Sequence, residues 1–279
     1  MRLKRLVRQS RRMREVGFTD VPPVVWVARE TSRRLGRHRR LAGQRRRRLF
    51  SSICIETFGH CNRACTFCFV NHDRFPARDD GVMDEQVWRK IIDELASVDF
   101  AGRISPYFYG EPLLDKRLDR LIGYARARCP YATIHINTNG DYLTRDSLRA
   151  LVRAGVDGFL VTDYEPEPQP RLRELATAYP YWISLRHGLD PKNRAGMMLQ
   201  IGNVRIDDPC PRPSEQVVIN WKGQVVLCCC DYYARHVFGN VQERSVLEAW
   251  YGDEFEATRQ VLAKPGGRRK SDMCRGCDL

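Results

Sequence analysis

From Ser51 onward, short apolar stretches alternate with longer stretches of helical periodicity. Ile53-Cys54-Ile55 reads as a first strand. Val87, Ile91, Leu95 and Val98 recur at helical spacing behind Asp84, a fitting N-cap, and predict a helix over residues 84–98. Arg103 to Tyr109 reads as a strand and Leu114 to Arg128 as a helix. Thr133 to Asn137 is a strand ending in Thr138-Asn139-Gly140. Thr144 caps a helix that Gly155 ends, Val156 to Thr162 is a strand, and a helix near Pro170 to Ala178 precedes a strand over Trp182 to Leu185. Such alternation predicts a parallel sheet with crossover helices, whose candidate motifs all follow strand C-termini, where α/β enzymes keep their sites. Periodicity alone leaves open sheet and barrel both standing.

After Leu189 the alternation stops. Gln216 to Trp221 and Gln224 to Leu227 flank Lys222-Gly223 as a hairpin, Val246 to Leu262 is mostly helical, and Cys274-Arg275-Gly276-Cys277 lies near the end. The reading divides the chain into a basic, flexible extension over 1–48, an α/β body over 49–190 and a C-terminal module over 191–279.

Charge separates the first of these from the rest. Residues 1–50 carry 17 Lys and Arg against 3 acidic residues, leaving 30 against 31 elsewhere. The body is neutral, so the net charge of +13 belongs to an arm rather than to a nucleic-acid-binding fold. Ser10-Arg11-Arg12 hints at a twin-arginine signal, but the following Val21 to Ala28 is short and broken by prolines. No apolar run approaches the ~20 residues of a membrane span. The eleven cysteines fall in short ligand-like groups, which suits metal ligation in a reducing cytoplasm better than disulfides.

The chemistry centres on Cys61-x3-Cys65-x2-Cys68, just after the first strand. Three thiolates from one tight loop can hold three irons of a four-iron cluster and leave the fourth open, whereas a structural zinc site closes four ligands. With aromatic Phe67 before the last cysteine, the motif resembles the radical S-adenosylmethionine (radical SAM) enzymes. That resemblance implies a partial (β/α)6 barrel, S-adenosyl-L-methionine as cosubstrate and an external one-electron reductant of flavodoxin or ferredoxin type. It makes Tyr109-Gly110-Glu111-Pro112 the motif that binds the methionyl amine, with Glu111 as an acceptor for the ammonium. Asn137 and Asn139 are candidates for the ribose or carboxylate.

Cys210, Cys228, Cys274 and Cys277 form a second set, and four thiolates suit zinc or a [4Fe–4S] cluster equally. Cys210-Pro211, Gly223-x-Val225-x-x-Cys228, Gly239-Asn240, Trp250 and Cys274-x2-Cys277 resemble the shortened SPASM, or twitch, module, which implies a second [4Fe–4S] cluster. Within the family the chain is similar to enzymes of aminoglycoside biosynthesis, on stretches such as Asp99 to Ser105 and Phe108 to Leu114. This implies a small aminoglycoside or aminocyclitol substrate, no nucleic-acid or membrane partner, and Arg194 as the group that orients the reacting hydroxyl. Related dehydrogenases carry Phe and Glu after the cluster cysteine; this chain has Cys229 and Cys230. On that departure, the expectation is an epimerase in which Cys230 returns hydrogen to the substrate carbon, with a dehydrogenase making the ketone as the alternative. In extended backbone Cys228 and Cys230 share a face and Cys229 points away, which favours Cys230.

Overall fold

The computed structural model describes residues 23–70, 76–188 and 206–278, together with positions 7, 10 and 195. Its strands are β1 (Ser52–Ile55), β2 (Arg103–Ser105), β3 (Thr133–Thr138), β4 (Gly158–Asp163), β5 (Ile183–His187), β6 (Gln216–Ile219), β7 (Gln224–Val226) and β8 (Val237–Asn240). They form one sheet in the order β5-β4-β3-β2-β1-β6-β7-β8. Strands β1 to β6 run parallel, and β7 and β8 add on antiparallel. The sheet does not close, so the six parallel strands make the partial (β/α)6 barrel expected, and the sheet runs on into the C-terminal cysteine region through β6.

The described helices are α1 (Pro23–Arg46), α2 (Glu85–Ser97), α3 (Leu118–Arg128), α4 (Arg145–Ala154), α5 (Pro170–Ala178), α6 (Arg212–Glu215), α7 (Val246–Tyr251) and α8 (Asp253–Leu262). Caps set their ends. The Asp84 carboxylate accepts from the Gln86 amide at 2.7 Å, Thr144 and Ser147 form a capping box, and Gly155 stops α4 at φ 122°. The long C-terminal helix expected over 246–262 is instead two, because Gly252 takes extended geometry between α7 and α8.

Alternation along the strands divides the sheet into two faces. Ile53, Ile55, Ile104, Ile134, Ile136 and Phe159 join the core with Trp88, Ile91 and Leu95 of α2. Cys54, Ser105 and Val218 stand level on the opposite face of β1, β2 and β6, and Asn137 stands level with Leu160. That second face is the barrel interior.

Where the sequence reading expected a flexible basic arm, residues 23–46 form a helix laid against the body. Arg33 pairs with Asp157 at 2.8 Å, Arg37 donates to the Ala101 carbonyl at 3.0 Å, and the Arg40 guanidinium stacks 3.6 Å over Tyr131. Those partners lie on the loops that precede β4, β2 and β3, so α1 crosses the N-terminal end of the barrel. Arginine stems lie along apolar surface while their heads find acceptors, which is how so polar a helix packs. Among the described residues no helix is long and apolar enough to cross a membrane.

Candidate active site

The cysteine loop opens directly from β1, and its neighbours hold it in place. The Gly59 amide donates to the Gly81 carbonyl at 2.7 Å, and the Glu111 amide donates to the His60 carbonyl at 2.8 Å. Arg63 makes two 2.6 Å hydrogen bonds to Asp141 and a 2.8 Å ion pair with Glu165. Asn62 donates to Asp141 at 2.7 Å and accepts from Asn139 at 3.0 Å. The loop is thereby tied to the segments that follow β3 and β4. Partial burial works to raise the Asp141 carboxyl, but the Arg63 and Asn62 bonds prevail and hold it below the usual carboxylate range. Asp141→Asn keeps the shape and loses the ion pair. Turnover of S-adenosylmethionine should fall about tenfold as the loop loosens, while the melting temperature moves by only a few degrees; an unchanged rate of 5′-deoxyadenosine formation contradicts this role.

Cys61, Cys65 and Cys68 are all half-buried on this loop. Burial, reinforced by the neighbouring thiols, pushes Cys65 up to about 11, and burial also raises Cys61. As free thiols Cys61 and Cys65 stay protonated, so a bound metal must displace their protons. Three cysteines on a loop pinned from three sides fit a cluster with one open iron.

Beside it lies the motif after β2. A Cβ on Gly110 would overlap the Phe58 carbonyl, so only glycine lets these two backbones approach so closely. Glu111 is buried. Its Oε1 accepts from Thr138 Oγ1 at 2.7 Å and from the Leu113 amide at 3.0 Å, and its Oε2 accepts from the Asn139 amide at 2.9 Å. A carboxylate offers about four acceptor directions, so Glu111 braces β2 against β3 and has one left for an ammonium. Burial raises its pKa despite these donors. Asn139 is also occupied, because its Oδ1 accepts from the Asp141 amide at 2.9 Å and its Nδ2 reaches Asn62. Asn137 stands half-buried on the interior face. Phe67 packs 5.0 Å from Tyr164, and Pro112 opens a short 3₁₀ turn. Arg194 lies outside the described residues.

The sequence reading missed the group that organises this end of the barrel. Glu56, the residue after β1, is 0 % exposed. Its Oε1 accepts from the Tyr109 amide at 3.1 Å and pairs with Arg78 at 2.8 Å, and its Oε2 accepts from the Trp221 amide at 3.2 Å. One carboxylate therefore ties together the cosubstrate motif, the segment after the cysteine loop and the β6–β7 turn. Trp221 in turn packs against Gly59 and Gly81 and donates to the Asp79 carbonyl at 3.0 Å. The available signal was a lone acidic residue ending an apolar strand. An aromatic nest of Phe69, Phe108, Tyr109 and Tyr232 walls the same space, with the Arg78 guanidinium 4.6 Å over Tyr232.

Cys210, Cys228, Cys274 and Cys277 converge on a single cavity, joined by Cys230 and Arg212. All four are buried, and burial pushes Cys274 up to about 11. Four convergent thiols with a cation beside them fit a closed four-thiolate cluster site. The turn after Cys228 disposes its neighbours unequally. Cys228 and Cys230 do share a face, but that face is the cysteine cavity: Cys230 is 0 % exposed, and its amide lies 3.4 Å from the Cys228 sulfur. Its hydrogen bonds with Cys228, Cys229 and Cys277, together with burial, raise the Cys230 thiol. Cys229 instead packs with Cys54, Tyr107 and Phe108 on the interior face and accepts from Arg212 at 3.3 Å. The next acidic side chain, Asp231, is spent on the turn, accepting from the Arg235 and His236 amides.

A model of the radical SAM superfamily matches residues 55–162, and a model of an iron-sulfur cluster-binding domain matches residues 210–278. The S-adenosyl-L-methionine-dependent 2-deoxy-scyllo-inosamine dehydrogenase of Niallia circulans is 35% identical over 238 residues, which cover 83% of this chain and 94% of the relative. The chain belongs to the radical SAM superfamily. A crystal structure of BtrN in complex with AdoMet and 2-DOIA superposes with a TM-score of 0.76 at 34% identity, covering 83% of this chain and 94% of that one. BtrN in an open conformation gives 0.66 at 32% identity, covering 83% and 93%. As a radical SAM enzyme with a twitch-type module, the protein uses S-adenosylmethionine and two iron–sulfur clusters. The expectation of an epimerase is overturned, because the relative similar over nearly its whole length is a dehydrogenase. The hydrogen-donor role given to Cys230 falls with it. Its thiol is turned into the cysteine cavity, away from the barrel interior where a substrate radical would form.

Proposed function

We propose that this radical SAM enzyme is a dehydrogenase that oxidises one carbinol carbon of an aminocyclitol, or of an aminocyclitol ring within an aminoglycoside, to the ketone. Carrying this reading is the 35% identity to an aminocyclitol dehydrogenase across 94% of that relative. Cys61, Cys65 and Cys68 would hold the catalytic cluster, and Cys210, Cys228, Cys274 and Cys277 the second. Phe67 and Tyr109-Gly110-Glu111-Pro112 would hold the cosubstrate, with Asn137 reaching it from β3. When bound, these groups supply a hydrogen-abstracting carbon radical and an acceptor for one electron. Every other task falls to the chain. The Arg63–Asp141 and Glu56–Arg78 pairs fix the two loops that face the substrate, and the nest around Tyr109 and Tyr232 excludes water. Arg194 keeps its proposed role of orienting the hydroxyl. The division into a body over 49–190 and a cluster module over 191–279 is supported by where the two family matches fall. We place the enzyme in the cytoplasm, beside its one-electron reductant, with no nucleic acid in the reaction.

The pair Cys229-Cys230 implies a substrate that differs from 2-deoxy-scyllo-inosamine where related enzymes present Phe and Glu. Cys229, which Arg212 reaches at 3.3 Å, stands where they carry Phe, and Cys230, which stands where they carry Glu, lines the cysteine cavity, so the carboxylate that could meet a substrate ammonium has no counterpart here. The test is an anaerobic screen of reconstituted enzyme, S-adenosylmethionine and chemical reductant against a panel of aminocyclitols and aminoglycosides. One member should give 5′-deoxyadenosine and a hydrazine-trappable ketone in equal amounts. If 5′-deoxyadenosine formation is the same with every member as with none, the substrate class is wrong.

A further inference from the structure

Between the end of α1 and helices α6, α7 and α8 is a hollow whose lining includes Arg45, Arg47, Arg48, Glu215, Glu256 and Arg259. We infer that this hollow is the docking surface for an acidic one-electron carrier protein that takes the electron left by substrate oxidation. The inference rests on the dehydrogenase reading.

Two features of the structure carry it. The first is position. Helix α6 separates the hollow from the cysteine cavity: Arg212 and Pro213 line the cavity, while Ser214 and Glu215 line the hollow. The two linings therefore meet on this one short helix, where Pro213 and Ser214 are consecutive residues. Cys210, two residues before α6, links the cavity to the same short segment. The second is charge. Arg45 to Arg48 are all exposed, and among the described residues no carboxylate pairs with Arg45, Arg46 or Arg47. The Arg47 guanidinium donates to the Val98 carbonyl, and Arg48 pairs with Glu256. One or two cations serve the C-terminus of α1; four in succession exceed that need and leave a positive rim. The rim is held rigidly, because Trp250 Nε1 donates to the Arg48 carbonyl at 3.0 Å and the Tyr251 hydroxyl donates to the Arg47 carbonyl at 2.9 Å. A preformed positive rim steers an acidic partner and fixes its register.

The electron balance gives the site a purpose. Cleaving S-adenosylmethionine consumes one electron at the catalytic cluster and yields methionine and a 5′-deoxyadenosyl group. That group takes the carbinol hydrogen atom and leaves as 5′-deoxyadenosine. The substrate then loses one proton to solvent and one electron to become the ketone. The electron leaving equals the electron entering, so the oxidised carrier that collects it at the hollow is, once reduced, the donor for the next turnover. Nucleic acid is the other acidic class that such a rim could attract, but only an electron carrier explains why the rim lies one helix from the cysteine cavity.

The test uses holoenzyme with both clusters and a purified acidic flavodoxin as carrier. Arg45→Glu combined with Arg47→Glu should raise the KM for flavodoxin about tenfold, with kcat at saturation nearly unchanged. The milder Arg45→Gln, Arg47→Gln pair should do the same to a smaller extent. Wild-type KM should climb steeply with salt, and the variants should lose that dependence. Single-turnover ketone formation with titanium(III) citrate should be unaffected. A flavodoxin KM within twofold of wild type in both pairs overturns the inference, as does duplex DNA that binds the wild-type rim and displaces flavodoxin. Failure of the dehydrogenase reading itself looks different, because then titanium(III) citrate also yields no ketone.

Discussion

Alanine at Cys61, Cys65 and Cys68 together is expected to reduce 5′-deoxyadenosine formation by at least about a thousandfold, to background. These three residues are the only thiols on the loop between β1 and α2, and the loop is pinned by Arg63, Asn62 and the Gly59–Gly81 bond rather than by the thiols themselves. The variant should therefore fold. It should retain about half of the iron and sulfide, on the second set of cysteines, and the electron paramagnetic resonance signal of that cluster should survive. Undiminished cleavage of S-adenosylmethionine would mean that these cysteines are not the catalytic ligands.

Glu56→Gln has the second large effect, and it acts on folding as well as on the site. The replacement keeps the volume but removes the charge facing Arg78, which is only 10 % exposed. Breaking a buried pair from one side leaves the other charge uncompensated, at about 3 kcal/mol or more. The amide also turns an N–H donor toward one or more of the Tyr109, Gly110 and Trp221 amides that now donate to the carboxylate. Denaturant unfolding should show the loss, and binding of S-adenosylmethionine should weaken at least tenfold because the Tyr109-Gly110 backbone is no longer held. The double replacement Glu56→Gln, Arg78→Met separates the two effects. It should recover much of the stability, since no lone charge remains, but not the binding. A single variant as stable as wild type would show that the pair is not needed.

Local chemistry explains which parts of this molecule could be read from its sequence. The helix behind Asp84, the Thr144 start and Gly155 stop of α4 and the Lys222-Gly223 turn were legible because each is set by residues a few positions apart. So was Cys61-x3-Cys65-x2-Cys68, whose spacing suggests its chemistry, whereas Cys210, Cys228, Cys274 and Cys277 read as a cluster set only through the resemblance to the twitch module. The Glu56–Arg78 and Arg63–Asp141 pairs were not, because they join segments 22 and 78 residues apart through residue types that are ordinary on a surface. Helix α1 was misread for a similar reason. Its contacts are made by arginines, whose charge in sequence signals solvent, while Tyr131, Asp157 and the Ala101 carbonyl that receive them lie far along the chain. The disposition of Cys229 and Cys230 was set by a turn: β7 ends at Val226, so residues 228–230 are not extended and strand alternation does not govern them.

The central claim is the outcome at the carbinol carbon, and the mass of the product made in deuterium oxide tests it most directly. The reconstituted enzyme, its aminocyclitol substrate and S-adenosylmethionine are combined anaerobically, and the product is reduced with borohydride in ordinary water after a first mass is taken. The account predicts a product about 2 mass units lighter than the substrate, with no solvent deuterium fixed at the reacting carbon after reduction. A product of the substrate's mass plus one non-exchangeable deuterium at that carbon would mean that hydrogen is returned rather than lost, and would contradict it.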